Sequence, residues 1–417
     1  MEMSKDGKSI YILGSSPKKL TIAGDKLTNI STSADMQLDL AAEREYMFNV
    51  VCREESRRFY TEDMHGVDWP ALTKNYRQFL PHINNNYDFA NMLSELLGEL
   101  NVSHTGGRYS PRLPGVVTAD LGLFFDWEYQ GSGLRVEEVI EGSPLDIKDS
   151  KVEKGVIIEK IDGVEITPDM DYTTLINDKA NVKTLLSLYN PFNGERWEEV
   201  TKPVSKSVIN NLLYNRWIKN RAADVERLSN GRLGYVHIKS MNDGSFRDVY
   251  SDILGKYNDK EGIVIDTRFN GGGRLHEDVE ILFSGKKYLT QVIRGRESCD
   301  MPSRRYNKPS IMIQCEANYS NAHGTPWVYR EVGLGKLVGM PVPGTMTSVS
   351  WTTLQGPTLV FGIPIVGYRS NRGNYLENSQ LEPDFKVANS PETIIYGVDS
   401  QLKVAVEELL KQIDSQK

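Results

Sequence analysis

The sequence predicts a multi-domain α+β protein, and three changes of pattern along its 417 residues predict it. Short alternating apolar runs between turn residues read as strands in residues 1–38 and again in 113–203. Between them, in 39–112, the apolar spacing lengthens to a helical period. Residues 204–417 then alternate continuous apolar strands with helical segments. At roughly 150 residues per domain, this length allows about two to four units.

The first unit is slight. Apolar runs at 9–13 and 20–22 flank a turn at 14–17, and two or three small strands bury too little to stand alone. In 39–112, Leu40, Tyr46, Met47, Val50 and Val51 recur at helical spacing, as do Phe89, Met92, Leu93, Leu96 and Leu97. Asp88 is placed to cap the second of these helices, and His65 to Pro70 opens another between them. Runs at 121–125, 134–136, 155–161, 183–188 and 197–200, with an Asp162-Gly163 hairpin turn, make 113–203 a compact β-rich module. The last unit offers strands at 233–238, 262–267, 311–313 and 359–361 and helices at 246–254 and 401–412. Its continuous apolar strands suit a largely parallel sheet covered on both faces.

Composition excludes several classes of function. With 39% hydrophobic and 25% charged residues the chain is not a disordered one, and a net charge of −7 gives no global electrostatic case for nucleic acid. No run of about 18 apolar residues is present, so no membrane span is expected. The first residues lack the apolar core of a secretory signal, so a cytoplasmic location is expected, or a periplasmic one if the chain is a truncated piece. Cys52, Cys299 and Cys315 are too few and too scattered for a disulfide framework or a zinc cluster. The six histidines show no paired metal-binding spacing, and no metal or cofactor is expected.

Loops at the carboxyl ends of parallel strands carry function, and three windows stand out. Arg268-Phe269-Asn270-Gly271-Gly272-Gly273 follows one apolar strand; read alone it is a tight turn or an anion-binding nest. Glu316 to Gly324 follows another and contains Ser320, either a helix cap or a serine exposed on a strand-to-helix turn. Ser103-His104 follows the helix ending at Leu100 and by itself reads as a polar helix end.

In order, ELNVSHTGG, LGLFF, VIEGSP, DTRFNGGG, CEANYSNAHG and YLENSQLEPDF resemble the protease core of the tricorn protease family, relatives of the C-terminal processing peptidases. The resemblance spans about residues 40–417. It implies a serine protease in which 113–203 is a PDZ-like domain and 204–417 an α/β domain of crotonase-like fold. The strands of 1–38 would then be the remnant of a β-propeller. Ser320 matches the nucleophile, His104 the general base, Ser103 the hydroxyl that orients it, and Glu377 the carboxylate completing the tetrad. Gly271, Gly272, Gly273 and the amide of Asn321 match the oxyanion hole, and Leu121, Gly122, Leu123 and Phe124 match a peptide carboxylate-binding loop. Asn321 stands where the family usually has Asp. The resemblance further implies peptide substrates and a homo-oligomer, a hexamer.

The chemistry is coherent from first principles. A serine hydroxyl needs a base to take its proton during attack, and a histidine of ordinary pKa about 6.5 suits that task. A third group must fix the tautomer and stabilise the imidazolium. Two other readings remain: a Ser–Lys dyad as in the C-terminal processing peptidases, for which Lys336 is the nearest lysine, and an inactive PDZ-type scaffold.

Overall fold

The computed structural model describes residues 1–31, 33, 35–111, 115–356 and 358–416, so the expected boundary at 112/113 lies outside the described residues. The N-terminal strands form a four-stranded antiparallel meander, Glu2–Met3, Ser9–Ile12, Lys18–Thr21 and Lys26–Asn29 in chain order. Its side chains are mostly exposed, Leu13 and Leu27 among them.

Three helices follow, Leu40–Arg58, Trp69–Arg77 and Asn86–Gly98, each begun by a side-chain cap: Asp39, Asp68 and Asn85. Asn85, rather than Asp88, caps the third. Its Oδ1 accepts the Asp88 amide at 2.9 Å, because the cap must precede the first turn whose amides it satisfies. Met47, Phe48, Val51, Phe89, Leu93, Leu96 and Leu97 pack into one core, whereas Leu40 and Tyr46 face outward. The strand expected at 359–361 with the last unit belongs here instead. Leu359–Gly367 pairs with Thr347–Thr353 and with Gly106–Tyr109, and Leu359, Phe361 and Ile363 bury against the helices.

Glu55 sits fully buried in that core, and neither of its carboxyl oxygens has a hydrogen-bond partner among the described residues. Burial pushes its carboxyl up to about 8, with Arg58 opposing. The folded state therefore holds a proton that the unfolded chain releases above its usual carboxylate range. This stabilisation is complete at acid pH and is lost as pH rises towards and through about 8. Glu55→Gln is expected to melt near the parent at pH 4 but about 5 °C higher at pH 9, read by thermal denaturation across that range.

The β-rich module is a sheet ordered Arg196–Thr201, Thr184–Tyr189, Ile157–Ile161, Leu134–Val139, Leu123–Phe125. Val164–Glu165 returns antiparallel across the Asp162-Gly163 turn, where both residues have positive φ as a tight hairpin of this kind requires.

The last unit is a five-stranded, wholly parallel sheet: Leu233–His237, Gly262–Asp266, Ser310–Gln314, Lys336–Gly339 and Phe385–Lys386 in spatial order. Val264, Ile311, Ile313 and Val338 pack against Lys206–Leu228 and Ser400–Asp414 on one face. Ile263, Ile265 and Met312 pack with residues of Asp243–Ser251, His276–Phe283 and Asn321–Glu331 on the other. This two-sided cover is why the strands read as continuous apolar runs. All five strands run the same way, so the loops leaving their carboxyl ends gather along one edge.

Candidate active site

The strand Ser310–Gln314 delivers the chain to Ser320, at the start of the helix Asn321–Glu331. Ser320 has φ 57° and ψ −125°, an unfavourable region for a residue with a Cβ, and its side chain makes no capping hydrogen bond. Surrounding bonds hold it there. Ser320 N donates to Thr345 Oγ1 at 3.2 Å, Tyr319 N to Asn270 O at 3.0 Å, and the buried Asn318 Nδ2 to Thr267 Oγ1 at 2.9 Å.

The glycine run is fastened to this turn. Beneath it, buried Arg268 pairs with Asp266 at 2.6 Å and Asp399 at 2.9 Å. Asn270, fully buried, donates to Ile238 O at 2.7 Å and accepts the Gly272 amide at 2.9 Å. Asn321 Oδ1 accepts the amides of Leu275 and His276 at 2.8 and 3.0 Å, and its Nδ2 bonds His276 Nδ1 at 2.7 Å. An asparagine at this position therefore ties the two loops together. Of the four expected oxyanion amides, Gly272's is already spent on Asn270. Those of Gly271, Gly273 and Asn321 meet no internal partner among the described residues. A Cβ on Gly272 would lie 2.7 Å from Ser320 Cβ and 3.2 Å from Asn321 N, so glycine is required there for contact with the serine turn.

Ser103, His104 and Glu377 form one hydrogen-bonded chain although 274 residues separate Ser103 from Glu377. Ser103 N and Oγ donate to the two oxygens of Glu377 at 2.6 and 2.9 Å, and Ser103 Oγ lies 2.9 Å from His104 Nδ1. Since the Ser103 hydroxyl hydrogen goes to the carboxylate, Nδ1 carries the imidazole hydrogen and Nε2 is left as an acceptor. His104 (φ 64°), Asn101 (φ 46°) and Asn378 (φ 57°) are also held at positive φ, and Asn378 Nδ2 ties the loops by bonding Asn101 O at 2.8 Å. Burial, with Arg108 adding to it, pushes the His104 imidazole down to about 4, so it is neutral at pH 7. Burial raises the Glu377 carboxyl, while the Ser103 amide and hydroxyl pull it back.

The serine turn and the histidine meet through Tyr319. Its hydroxyl accepts the His104 amide at 2.8 Å, and its ring stands 4.7 Å from the imidazole. Among the described residues no hydrogen bond joins Ser320 Oγ to the imidazole. Tyr319 and Thr347 (3.1 Å from His104 Nδ1) are contacts that sequence reasoning missed. Tyr319 had a signal, its place beside the serine; Thr347 had none.

Lys336 is distant from this edge. It begins its strand at the opposite end of the parallel sheet, is exposed, and faces Asp384 at 3.4 Å. The loop expected to hold a peptide carboxylate is packed onto the β-rich module. Leu121 and Leu123 are buried in the module's core, Phe124 lies under Arg216, and the Gly122 amide already donates to Asp120 Oδ1 at 2.8 Å. A groove of about 800 Å³ beside Leu233–His237, lined by Lys219, Lys239, Asp248 and Lys256, contains none of the expected site residues.

Residues 232–387 match the model of peptidase family S41, and residues 40–98 match the tricorn protease C1 domain. Tricorn protease homolog 1 of Streptomyces coelicolor is 26% identical over 97% of the chain and 40% of its own length. The tricorn protease of Thermoplasma acidophilum is 23% identical over 98% of the chain and 38% of its own. The chain thus spans about two fifths of the length of these relatives. A crystal structure of the tricorn protease superposes over 99% of the chain and 41% of its own with a TM-score of 0.83 at 19% identity, which establishes the shared fold. No helix among the described residues is long and apolar enough to cross a membrane.

Proposed function

We propose that the chain, which belongs to the tricorn protease family, is a serine peptidase that cleaves peptides through Ser320, His104, Ser103 and Glu377 by way of an acyl-enzyme. The observation that carries this is the unbroken Glu377–Ser103–His104 chain, whose histidine contacts Tyr319, the neighbour of a serine held at strained backbone angles. Ser320 Oγ attacks the scissile carbonyl carbon as its proton passes to His104 Nε2. The oxyanion is met by the amide of Asn321 together with that of Gly271 or Gly273, each worth about 3 kcal/mol in a water-poor site. The imidazolium shares its charge through Nδ1–H with Ser103 and Glu377, then protonates the leaving amine. Water reverses the sequence to release the acyl group. Peptides are the substrates on this reading, the N-terminal meander is the edge of a propeller, and copies assemble as a ring.

The base must be neutral to act, so activity falls once pH drops low enough to protonate His104. Hydrolysis of a fluorogenic peptide panel is expected to show an acid limb with its midpoint near 4. Lys336→Ala is expected to hydrolyse the panel at the parent rate. Loss of activity in Lys336→Ala would favour a Ser–Lys dyad. An acid midpoint at 6.5 or above would contradict burial of the base.

A further inference from the structure

We infer that Thr347 is a positioning residue of the relay, its hydroxyl serving as a second acceptor for the Nδ1 hydrogen of His104, so that two hydroxyls rather than one hold the imidazole. This rests on the reading of His104 as the general base. Thr347 Oγ1 lies 3.1 Å from His104 Nδ1, 3.0 Å from Ser103 Oγ and 3.4 Å from Ser103 O. Its residue is 1% exposed, so water does not compete for these bonds.

The hydrogen count leaves little freedom. The Ser103 hydroxyl spends its one hydrogen on Glu377 Oε2. The Thr347 hydroxyl spends its own on Ser103, at Oγ or at the carbonyl, which turns a lone pair towards Nδ1. The Nδ1 hydrogen is then shared between Ser103 Oγ at 2.9 Å and Thr347 Oγ1 at 3.1 Å. One acceptor would let the ring swing about that bond; two fix the direction in which Nε2 points.

The fold sets this arrangement from outside the loop that carries the histidine. Thr347 begins the strand Thr347–Thr353, which pairs with Leu359–Gly367, and that strand pairs with Gly106–Tyr109 two residues beyond His104. Threonine suits the place because its β-branch restricts χ1 and so fixes the hydroxyl. When Nε2 takes the serine proton, the Nδ1 side carries positive charge, and a second oxygen there favours the charged form.

Thr347→Val keeps the shape and deletes the hydroxyl. It is expected to lower kcat by about 10- to 100-fold, the loss of one hydrogen bond to a charged group, with KM near the parent value. The acid limb of the pH profile should move to lower pH, since the imidazolium loses an acceptor. Thr347→Ser should recover most of the rate. Ser103→Ala leaves one acceptor and the combination with Thr347→Val leaves none, so the double loss should exceed the product of the single ones. Rates are read by peptide hydrolysis and by the rate of fluorophosphonate labelling, with melting curves confirming the fold; Thr347→Ala replaces Thr347→Val if the latter does not fold. A Thr347→Val protein with the parent kcat and acid limb would overturn the assignment, as would a Thr347→Ser protein no faster than Thr347→Val. Failure of the parent to hydrolyse peptides or take the label would overturn the underlying peptidase reading instead.

Discussion

Replacing either Ser320 or His104 by alanine is expected to lower peptide hydrolysis by about 10⁴-fold or more, with the double variant little slower than either single one. In the proposed mechanism the two side chains act as one unit in proton-coupled attack, so removing the first already disables the second. Both substitutions delete atoms without adding bulk. Ser320 makes no capping bond that stability depends on, and the His104 backbone stays fixed by its amide bond to Tyr319. Melting temperatures should therefore remain close to the parent's while the rate collapses. Strictly multiplicative losses in the double variant would mean that the two residues serve separate steps.

Gly272→Ala is the second large effect, expected at about 10²–10³ in kcat. The added methyl has nowhere to go. It would fall 2.7 Å from both Ser320 Cβ and Tyr319 O, at a backbone φ of +96° that strains any residue with a side chain. Relief must come from the serine turn, which displaces Ser320 from the amides beside it. Gly271→Ala is the comparison, because it keeps its backbone amide and a Cβ there meets nothing within 4 Å. Initial rates of the two variants decide the matter: equal activities would show that the glycine run does not bear on the serine.

Much of this site was legible in the sequence, though in an uneven way. Ser103-His104 and Ser320 each read locally as a polar helix end or a cap, and only the resemblance of the ordered motifs to the tricorn protease family singles them and Glu377 out. Continuous apolar runs at 262–267 and 311–313 announced buried parallel strands, because two-sided burial leaves no polar face to alternate. The strand at 359–361 was legible as a strand but not as a partner of Gly106–Tyr109; its apolar face suits either core, and pairing across some 250 residues leaves no local trace. Thr347 escaped for the same reason. The satisfied amides of Gly122 and Gly272 were hidden differently. A glycine announces that backbone can come close, whereas Asp120 and Asn270 decide whether that backbone is still free. Side-chain capture within two residues is common enough that Asp and Asn so close to a glycine loop are a usable warning.

Labelling of the intact chain with a fluorophosphonate, mapped by peptide mass spectrometry, decides whether Ser320 is a nucleophile activated by His104. A single adduct on Ser320 is expected at neutral pH, formed at a rate that falls as pH drops towards 4 and absent from Ser320→Ala and His104→Ala. A parent protein that takes no label, or takes it at another serine, would rule out Ser320 as the nucleophile and leave the fold as a peptide-binding scaffold.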